Sequence, residues 1–229
     1  MFSPIRKMFD DISSRYDFLN HALSCFQDIF WRRACCRELK RRKTGMRLLD
    51  LCGGTGDFVA TFEKMVGKPQ KAVLGDFSLG MLEHSRQKKT SAQPVQLDAM
   101  QMPFSENTFD VILNGFGMRN LPDAKAGLEE SLRVLAPGGY LMVLEFFSPR
   151  NPFNAFFYKV LAPLFIPVVG AFFSGKRDAY EYLVRSIVKF LPVKDFARLA
   201  ESVGFEVVSV HACDFGIAYR VLLRKRGSL

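Results

Sequence analysis

The chain contains 229 residues, of which 48% are hydrophobic and 24% are charged. This length suits a single α/β domain, and this composition excludes an intrinsically disordered chain. The formal net charge of +9 is compatible with nucleic acid, an anionic membrane surface or an acidic substrate, and it does not distinguish among them.

The cysteines indicate a reducing compartment. Their number is odd, two of them are adjacent in sequence, and no C-x-x-C motif is present, which argues against a disulfide framework and against a zinc site. The N-terminal residues also lack the apolar core of a secretory signal. We therefore expect a cytoplasmic protein with no metal site. The cysteines are Cys25, Cys35, Cys36, Cys52 and Cys213.

Residues 1–45 are predicted to form an N-terminal helical cap. Helical spacing first appears in the apolar residues Ile5, Met8, Phe9, Ile12 and Tyr16. A second helical stretch is predicted from Ala22 to Lys43, ending near Thr44-Gly45 because glycine favours a helix C-terminus. The basic run from Arg32 to Lys43 is interpreted as a solvated helix face.

Residues 46–150 alternate between apolar strands and amphipathic helices. Strands are predicted at 46–51, 71–75, 95–97, 109–113 and 140–146, and helices at 58–66, 79–89 and 124–135. This alternation indicates right-handed βαβ units. The fold class is therefore α/β and Rossmann-like, with a mostly parallel seven-stranded sheet covered by helices on both faces.

The alternation of strands and helices stops at residues 151–190. The stretch from Phe153 to Phe173 is almost entirely apolar, but prolines and a lysine interrupt it and disfavour a membrane span. An apolar insertion or a buried helical hairpin fits it. Helices at 179–190 and 193–202 and strands at 205–210 and 218–223 complete a single domain, 1–229, whose last part is 191–229.

A glycine-rich loop follows the first predicted strand. It contains Gly53, Gly54, Thr55 and Gly56, without the spacing of a dinucleotide fingerprint or the lysine of a P-loop. Acids stand on both sides of the loop, among them Asp50. They would repel a pyrophosphate, whereas they suit the amino group and sulfonium of S-adenosylmethionine.

Two further acids follow the next predicted strands. Asp76 stands where a carboxylate accepts hydrogen bonds from both ribose hydroxyls, and Asp98 could receive the adenine amino group. Met81 and Met100 could pack on the adenine faces. Since ligands of open α/β sheets bind at the carboxyl ends of strands, these residues predict a cofactor site there.

The stretch from Asn114 to Asn120 bears on the methyl acceptor. It lacks the paired prolines found in methyltransferases that modify exocyclic base nitrogens, and no Pro-Cys pair offers a nucleophile for pyrimidine carbons. The basic run of the cap also has little aromatic interleaving. A nucleic-acid acceptor is therefore disfavoured.

Several blocks of sequence resemble one known family. They are Arg15-Tyr16-Asp17 with Asn20, the glycine loop with Asp57, Met102-Pro103-Phe104, Phe116-Gly117-Met118-Arg119-Asn120, Pro137-Gly138-Gly139, and Tyr182-Leu183 with Ser186-Ile187. Together they cover nearly the whole chain, and the chain resembles the C-methyltransferases of ubiquinone and menaquinone biosynthesis.

This resemblance implies S-adenosylmethionine-dependent C-methylation of a prenylated quinol ring. Demethylmenaquinol is the preferred candidate substrate, and a ubiquinone-type benzoquinol is the second. Arg119 is the candidate for phenolate stabilisation, although it could instead pair with an acid such as Asp17 or Asp123. Asn120 could orient a water or the ring oxygen, and Tyr16 and Asp17 could complete a proton path. The cofactor residues that the resemblance implies are Thr55, Asp76, Asp98, Ala99 and Gly115, and the adjacent Phe77 and Asn114 are further candidates.

The partners follow from the same resemblance. The substrate is a lipid-soluble prenylated quinol, and the insertion 151–190 would cover its isoprenoid tail and touch the bilayer. We expect a transient contact with the inner membrane surface, no nucleic-acid partner, and a homodimer as a further option. Two alternatives stay open: another acceptor on the same fold, and a non-catalytic subunit that binds the cofactor.

Overall fold

The computed structural model describes residues 4–13, 16–41, 47–150 and 177–227. Its helices are α1 (Pro4–Ile12), α2 (Tyr16–Leu23), α3 (Gln27–Arg41), α4 (Asp57–Met65), α5 (Leu79–Ser85), α6 (Ala124–Val134), α7 (Arg177–Lys189) and α8 (Val193–Val203). Its strands are β1 (Arg47–Leu51), β2 (Lys71–Asp76), β3 (Gln93–Gln96), β4 (Phe109–Gly115), β5 (Leu135–Glu145), β6 (Phe205–Cys213) and β7 (Ala218–Lys225).

The strands form one seven-stranded sheet in the order β3-β2-β1-β4-β5-β7-β6. The first five strands of this order are parallel, and β7 runs antiparallel to both of its neighbours. The order changes direction at β1, whose neighbours are β2 and β4. That reversal creates a crevice at the carboxyl ends of the strands.

Helices cover both faces of the sheet because its central strands are apolar on both sides. Adjacent residues of β1 point to opposite faces: Leu48 packs with α3 and α4, and Leu49 packs with α6 and α8. The same alternation continues in β4 and β5. The domain therefore has a core on each side of the sheet.

Helix caps fix where the crossover helices begin. The Asp123 carboxylate accepts hydrogen bonds from the backbone N–H groups of Lys125 and Ala126, at the start of α6. The Ser78 hydroxyl accepts one from the Met81 N–H, at the start of α5. These side chains satisfy N–H groups that have no partner inside the helix.

The predicted fold class is confirmed, with differences in single elements. The cap contains three helices within its described residues, where the sequence predicted two. β5 begins at Leu135 rather than at Tyr140, because Pro137-Gly138-Gly139 continues the strand. The helix predicted to end at Lys89 ends at Ser85 and continues as a short 3-10 turn.

The apolar stretch from Phe153 to Phe173 and the predicted helix end near Thr44-Gly45 lie outside the described residues. The division of the chain at 45, 150 and 190 stays a prediction. Among the described residues, no helix combines the length and the apolar content needed to cross a membrane.

The aromatic core under α8 offers a test of stability. Phe196 is fully buried, and its ring centre lies 5.2 Å from that of Phe147. We expect Phe196→Ala to lower the free energy of unfolding by about 3–5 kcal/mol through lost burial and a cavity. Urea unfolding followed by circular dichroism measures this loss. Phe30→Ala is the matched control, since Phe30 is 57% exposed, and an equal loss in both variants would contradict this account of the core.

Candidate active site

A cavity of about 480 Å³ opens at the carboxyl ends of β1, β2 and β4. Its volume lies within the usual range for small-molecule sites. The cap, the glycine loop and the loops after β2, β3 and β4 form its walls. Its lining residues are Ile5, Arg6, Phe9, Tyr16, Cys52, Gly54, Asp76, Phe77, Met81, Gln96, Leu97, Asp98, Ala99, Met100, Phe116, Gly117, Asn120, Leu121 and Pro122.

The glycine loop turns sharply as it leaves β1. Gly54 and Gly56 have positive φ angles of 56° and 86°, which glycine adopts without strain. A Cβ atom on Gly53 would lie only 2.2 Å from the Cδ1 atom of Leu74. The backbone therefore reaches the cavity wall at Gly54, and Gly53 packs against β2.

Asp76, at the end of β2, ties the glycine loop to the cavity wall. Its carboxylate accepts hydrogen bonds from the backbone N–H groups of Gly54 and Ser78, each 2.9 Å long. Burial raises the pKa of Asp76 to about 6, although these N–H groups oppose the rise. A carboxylate that lines the cavity and is held in this way suits the two hydroxyls of a ribose.

The loop after β3 forms the next part of the wall. Asp98, Ala99 and Met100 all line the cavity, as do Phe77 and Met81. The Met100 N–H donates to the Asp98 carboxylate at 2.8 Å. Apolar side chains around one carboxylate match the faces and amino group of an adenine, so these residues fit S-adenosylmethionine.

Asp50 lies beneath the glycine loop and does not line the cavity. One carboxylate oxygen accepts the Val59 N–H at 2.9 Å, and the other has no hydrogen-bond partner among the described residues. Burial raises the pKa of Asp50 to about 7. Asp50 therefore supports the start of α4, and its predicted role toward the cofactor stays a prediction.

Asn114 and Gly115, at the end of β4, also lie behind the wall. The Asn114 side chain donates to the Leu51 carbonyl at 2.9 Å and accepts the Met118 N–H at 3.2 Å. A Cβ atom on Gly115 would lie 3.0 Å from Phe58. In this geometry both residues support the wall, and their predicted contacts with the cofactor stay predictions.

Thr55 and Asp17 form a contact between the loop and α2, outside the cavity lining. The Thr55 hydroxyl donates to the Asp17 carboxylate, and Lys88 donates to the Thr55 hydroxyl at 2.8 Å. Lys88 also pairs with Asp17 at 2.8 Å. These bonds hold the cap against the loop, and the predicted place of Asp17 in a proton path stays a prediction.

The cap closes the cavity on its outer side. Asp10 of α1 accepts hydrogen bonds from the Ser78 hydroxyl and from the Gly80 N–H. The Phe9 ring lies edge-on to those of Tyr16 and Phe77, with centres 6.1 and 5.9 Å away. Burial raises the pKa of Tyr16, so its hydroxyl stays protonated at neutral pH inside the cavity.

Arg119 and Asn120 are neighbours in a 3-10 turn after β4, but they face different surroundings. Asn120 lines the cavity. Arg119 lies behind it in a buried pair with Glu145, 2.6 Å away, and also donates to the Phe116 carbonyl at 2.7 Å. The partner of Arg119 is thus Glu145 and neither Asp17 nor Asp123, and its catalytic role stays a prediction.

Several residues of the site were not predicted from the sequence. Phe116 and Gly117 line the cavity, and a Cβ atom on Gly117 would lie 2.5 Å from that of Cys52. The Tyr182 hydroxyl donates to the Asn120 side chain at 3.0 Å. Glu145 carried a signal in the sequence, since it is an acid at the end of an apolar strand. The structure buries it completely.

One group of side chains has the composition of a metal site. His21, Asp28 and Asp57 bring ligand atoms within 4.8 Å of one another. Arg32 binds both carboxylates, at 3.0 Å for Asp57. Its guanidinium supplies the positive charge that a metal ion would bring, so this group is a salt-bridge network between α3 and α4.

Solved structures of two methyltransferases have this fold. An S-adenosylmethionine-dependent methyltransferase from Aquifex aeolicus aligns with a TM-score of 0.58 at 18% identity, over 82% of this chain and 88% of that one. One from Thermotoga maritima aligns with a TM-score of 0.63 at 18% identity, over 96% of this chain and all of that one. The chain therefore has the same fold as these two S-adenosylmethionine-dependent methyltransferases.

Sequence comparison is more specific. A model of the ubiE/COQ5 methyltransferase family matches residues 3–222. A protein of Staphylococcus aureus strain JH9, named demethylmenaquinone methyltransferase, is 36% identical over 217 residues, which are 93% of this chain and 90% of that protein. The chain belongs to the ubiE/COQ5 methyltransferase family, in agreement with the resemblance seen in its sequence blocks.

The pKa of Asp76 predicts a pH dependence of cofactor binding. The ribose hydroxyls need the ionised carboxylate. The Asp76 carboxyl group reaches this form by losing its proton as the pH rises through about 6. We expect S-adenosylmethionine to bind about tenfold more weakly at about pH 5 than at about pH 7. Titration calorimetry measures both affinities. In Asp76→Asn binding should be weak throughout with no such step, and a wild-type affinity that is equal at both pH values would remove Asp76 from the ribose site.

The buried pair of Arg119 and Glu145 predicts a large effect on stability. Arg119→Ala leaves Glu145 ionisable and buried without its cation, which we expect to cost about 3–5 kcal/mol of unfolding free energy. Lys125→Ala removes an exposed pair with Glu129 and should cost less than about 1 kcal/mol. Urea unfolding compares the two, and similar losses would show that the Arg119 pair is not a structural element of the wall.

Proposed function

We propose that this chain transfers a methyl group from S-adenosylmethionine to a ring carbon of a prenylated quinol, with demethylmenaquinol as the acceptor. The observation that carries this proposal is the 36% identity, over 93% of the chain, to a protein named demethylmenaquinone methyltransferase. The motif blocks around Tyr16 and Asn120 support it, because both residues line the cavity.

The reaction requires little from the protein besides orientation and charge stabilisation. A carbon–carbon bond forms, a carbon–sulfur bond breaks, and the ring carbon releases one proton. S-adenosylmethionine supplies the electrophilic methyl group when it is bound. The ring carbon becomes nucleophilic when a neighbouring hydroxyl loses its proton, so the site must hold the ring and favour negative charge on that oxygen.

The acceptor side of the cavity meets these needs. Phe116, Leu121 and Pro122 provide an apolar wall for a ring, and Asn120 provides a polar group. The Asn120 side chain is held by the Phe116 carbonyl and the Tyr182 hydroxyl, each 3.0 Å away. Asn120 and the protonated hydroxyl of Tyr16 can therefore both hold a quinol oxygen.

The acceptor determines where the enzyme works. A prenylated quinol is soluble in lipid, so the enzyme needs transient contact with a membrane surface, here the inner face toward the cytoplasm. The net charge of +9 supports weak, salt-sensitive binding to anionic lipid. Nucleic acid has no place in this proposal, and a homodimer stays a prediction.

The test is methyl transfer from labelled S-adenosylmethionine to reduced demethylmenaquinone. A benzoquinol analogue and bulk RNA serve as parallel acceptors, and Asp76→Ala serves as the variant with impaired cofactor binding. We expect label in demethylmenaquinol, less in the benzoquinol and none in RNA, with at least a tenfold loss of all labelling in Asp76→Ala.

Each other result has a definite meaning. Preferred labelling of the benzoquinol would move the proposal to a ubiquinone-type substrate. Labelling of RNA alone would identify a nucleic-acid methyltransferase. Tight cofactor binding with no labelled acceptor would favour a non-catalytic subunit and end the proposal.

A further inference from the structure

Three phenylalanines are exposed on the described surface. The exposed fraction is 53% for Phe26, 57% for Phe30 and 96% for Phe215. Phe26 lies in the turn before α3, Phe30 in the first part of α3, and Phe215 in the turn between β6 and β7. Exposing large aromatic side chains to water is unfavourable, and clusters of them mark interaction surfaces.

The three side chains belong to neighbouring turns. The Trp31 indole N–H donates to the Asp214 carboxylate at 2.7 Å, which joins the residue after Phe30 to the residue before Phe215. Phe26 immediately precedes α3, and Phe30 lies in the first turn of that helix. We refer to Phe26, Phe30 and Phe215 as the aromatic patch.

The backbone of the patch is strained. Phe26 and Phe215 have φ angles of 62° and 57°, in the left-handed region that bulky side chains avoid at a cost of about 1–2 kcal/mol each. The neighbouring Cys25 and Asp214 also have positive φ angles. Strain that holds apolar side chains in solvent is compatible with a role in binding.

Positive charge adjoins the patch. The Arg33 guanidinium lies 5.8 Å from the centre of the Phe30 ring, and Arg37 follows on the same exposed helix face one turn later. Within Gln27–Arg41 the acids are turned away: Asp28 is buried against Arg32, and Glu38 bonds to Ser209 and Arg220. The exposed face of α3 therefore joins aromatic to basic side chains.

Aromatic contacts continue from the patch to the cavity. The Trp31 ring lies 6.0 Å from that of Phe146 and 6.3 Å from that of Phe116. Phe116 and Phe146 stack at 4.6 Å, and Phe116 lines the cavity. The turn that carries Phe215 also lies at the carboxyl end of the parallel strands, since Tyr219 pairs with Glu145 at the end of β5.

We propose that the aromatic patch docks this enzyme on an anionic lipid bilayer. Phenylalanines inserted at the level of the headgroups bury apolar surface, and arginines beside them contact lipid phosphates. A second step rests on the proposed function: docking brings the enzyme to a quinol held in the same bilayer. The charge beside Phe30 favours a lipid surface over a second copy of this basic chain.

Vesicle sedimentation tests the docking surface without any acceptor. The full chain is mixed with phosphatidylcholine vesicles, with or without phosphatidylglycerol. We expect binding to the anionic vesicles, at least tenfold weaker for the double variant Phe30→Ser/Phe215→Ser because two apolar anchors are lost. The matched control is Leu79→Ser/Val210→Ser, which changes exposed apolar residues outside the patch and should bind like wild type. Arg33→Gln/Arg37→Gln should bind more weakly and respond less to salt.

Three results would overturn the docking surface. They are wild-type binding by the patch variant, equal loss in the control, and no binding of wild type to anionic vesicles. A dimer that sedimentation velocity detects in wild type but not in the patch variant would assign the patch to contact between copies of this chain.

Turnover separates this inference from the proposed function. The patch variant should methylate a short-chain, water-soluble quinol like wild type and lose at least tenfold on a quinol embedded in vesicles. Wild-type turnover of the soluble quinol without vesicle binding would refute the docking surface alone. Vesicle binding by wild type that depends on the patch, with no quinol methylated, would refute the proposed function and leave the docking surface standing.

Discussion

The contact between the cap and the glycine loop depends on the buried guanidinium of Arg32. It binds Asp28 in its own helix and Asp57 at the start of α4, directly after the glycine loop. Burial would raise the pKa of Asp57, but Arg32 and Lys88 lower it overall. The carboxylate is therefore ionised at neutral pH, and charge-assisted bonds fix the cap to the loop. Breaking such a pair leaves a buried charge without compensation, which makes the junction costly to open.

The same network sorts the acids around the loop into two groups. Asp17 and Asp57 are paired with Lys88, so their charge is compensated by the protein. The carboxylates of Asp76 and Asp98, on the cavity wall, accept hydrogen bonds from backbone N–H groups. Acids that face the cavity can thus attract a cationic ligand, while the acids behind it hold the structure together. A sequence with carboxylates on both sides of a loop does not reveal this division.

What the sequence predicted correctly depends on local pattern. Apolar strands, turns and helices recur with characteristic spacing, and the carboxyl ends of parallel strands meet at one edge, so Asp76 and Asp98 could be placed together. Arg32 could not be placed, because the basic residues around it in sequence suggested a solvated helix face. Its guanidinium instead pairs with Asp57, 25 residues away. The pairing of Arg119 with Glu145 likewise joins residues 26 positions apart. Side-chain networks between elements depend on packing that periodicity does not encode.

Arg119 and Asn120 are neighbours in the chain but are separated in the site, because Glu145 holds the Arg119 guanidinium behind the cavity wall. The neutral amide of Asn120 lines the cavity and can hold an oxygen there without bringing a charge of its own. Behind the wall, Glu145 compensates Arg119, yet part of its field still reaches the site. Burial raises the pKa of Tyr16, and Arg119 is among the groups that oppose this rise. The influence that favours ionisation of the Tyr16 hydroxyl also favours negative charge on a quinol oxygen held beside it. The predicted role of Arg119 toward a phenolate therefore needs no direct contact with the acceptor, and it stays a prediction.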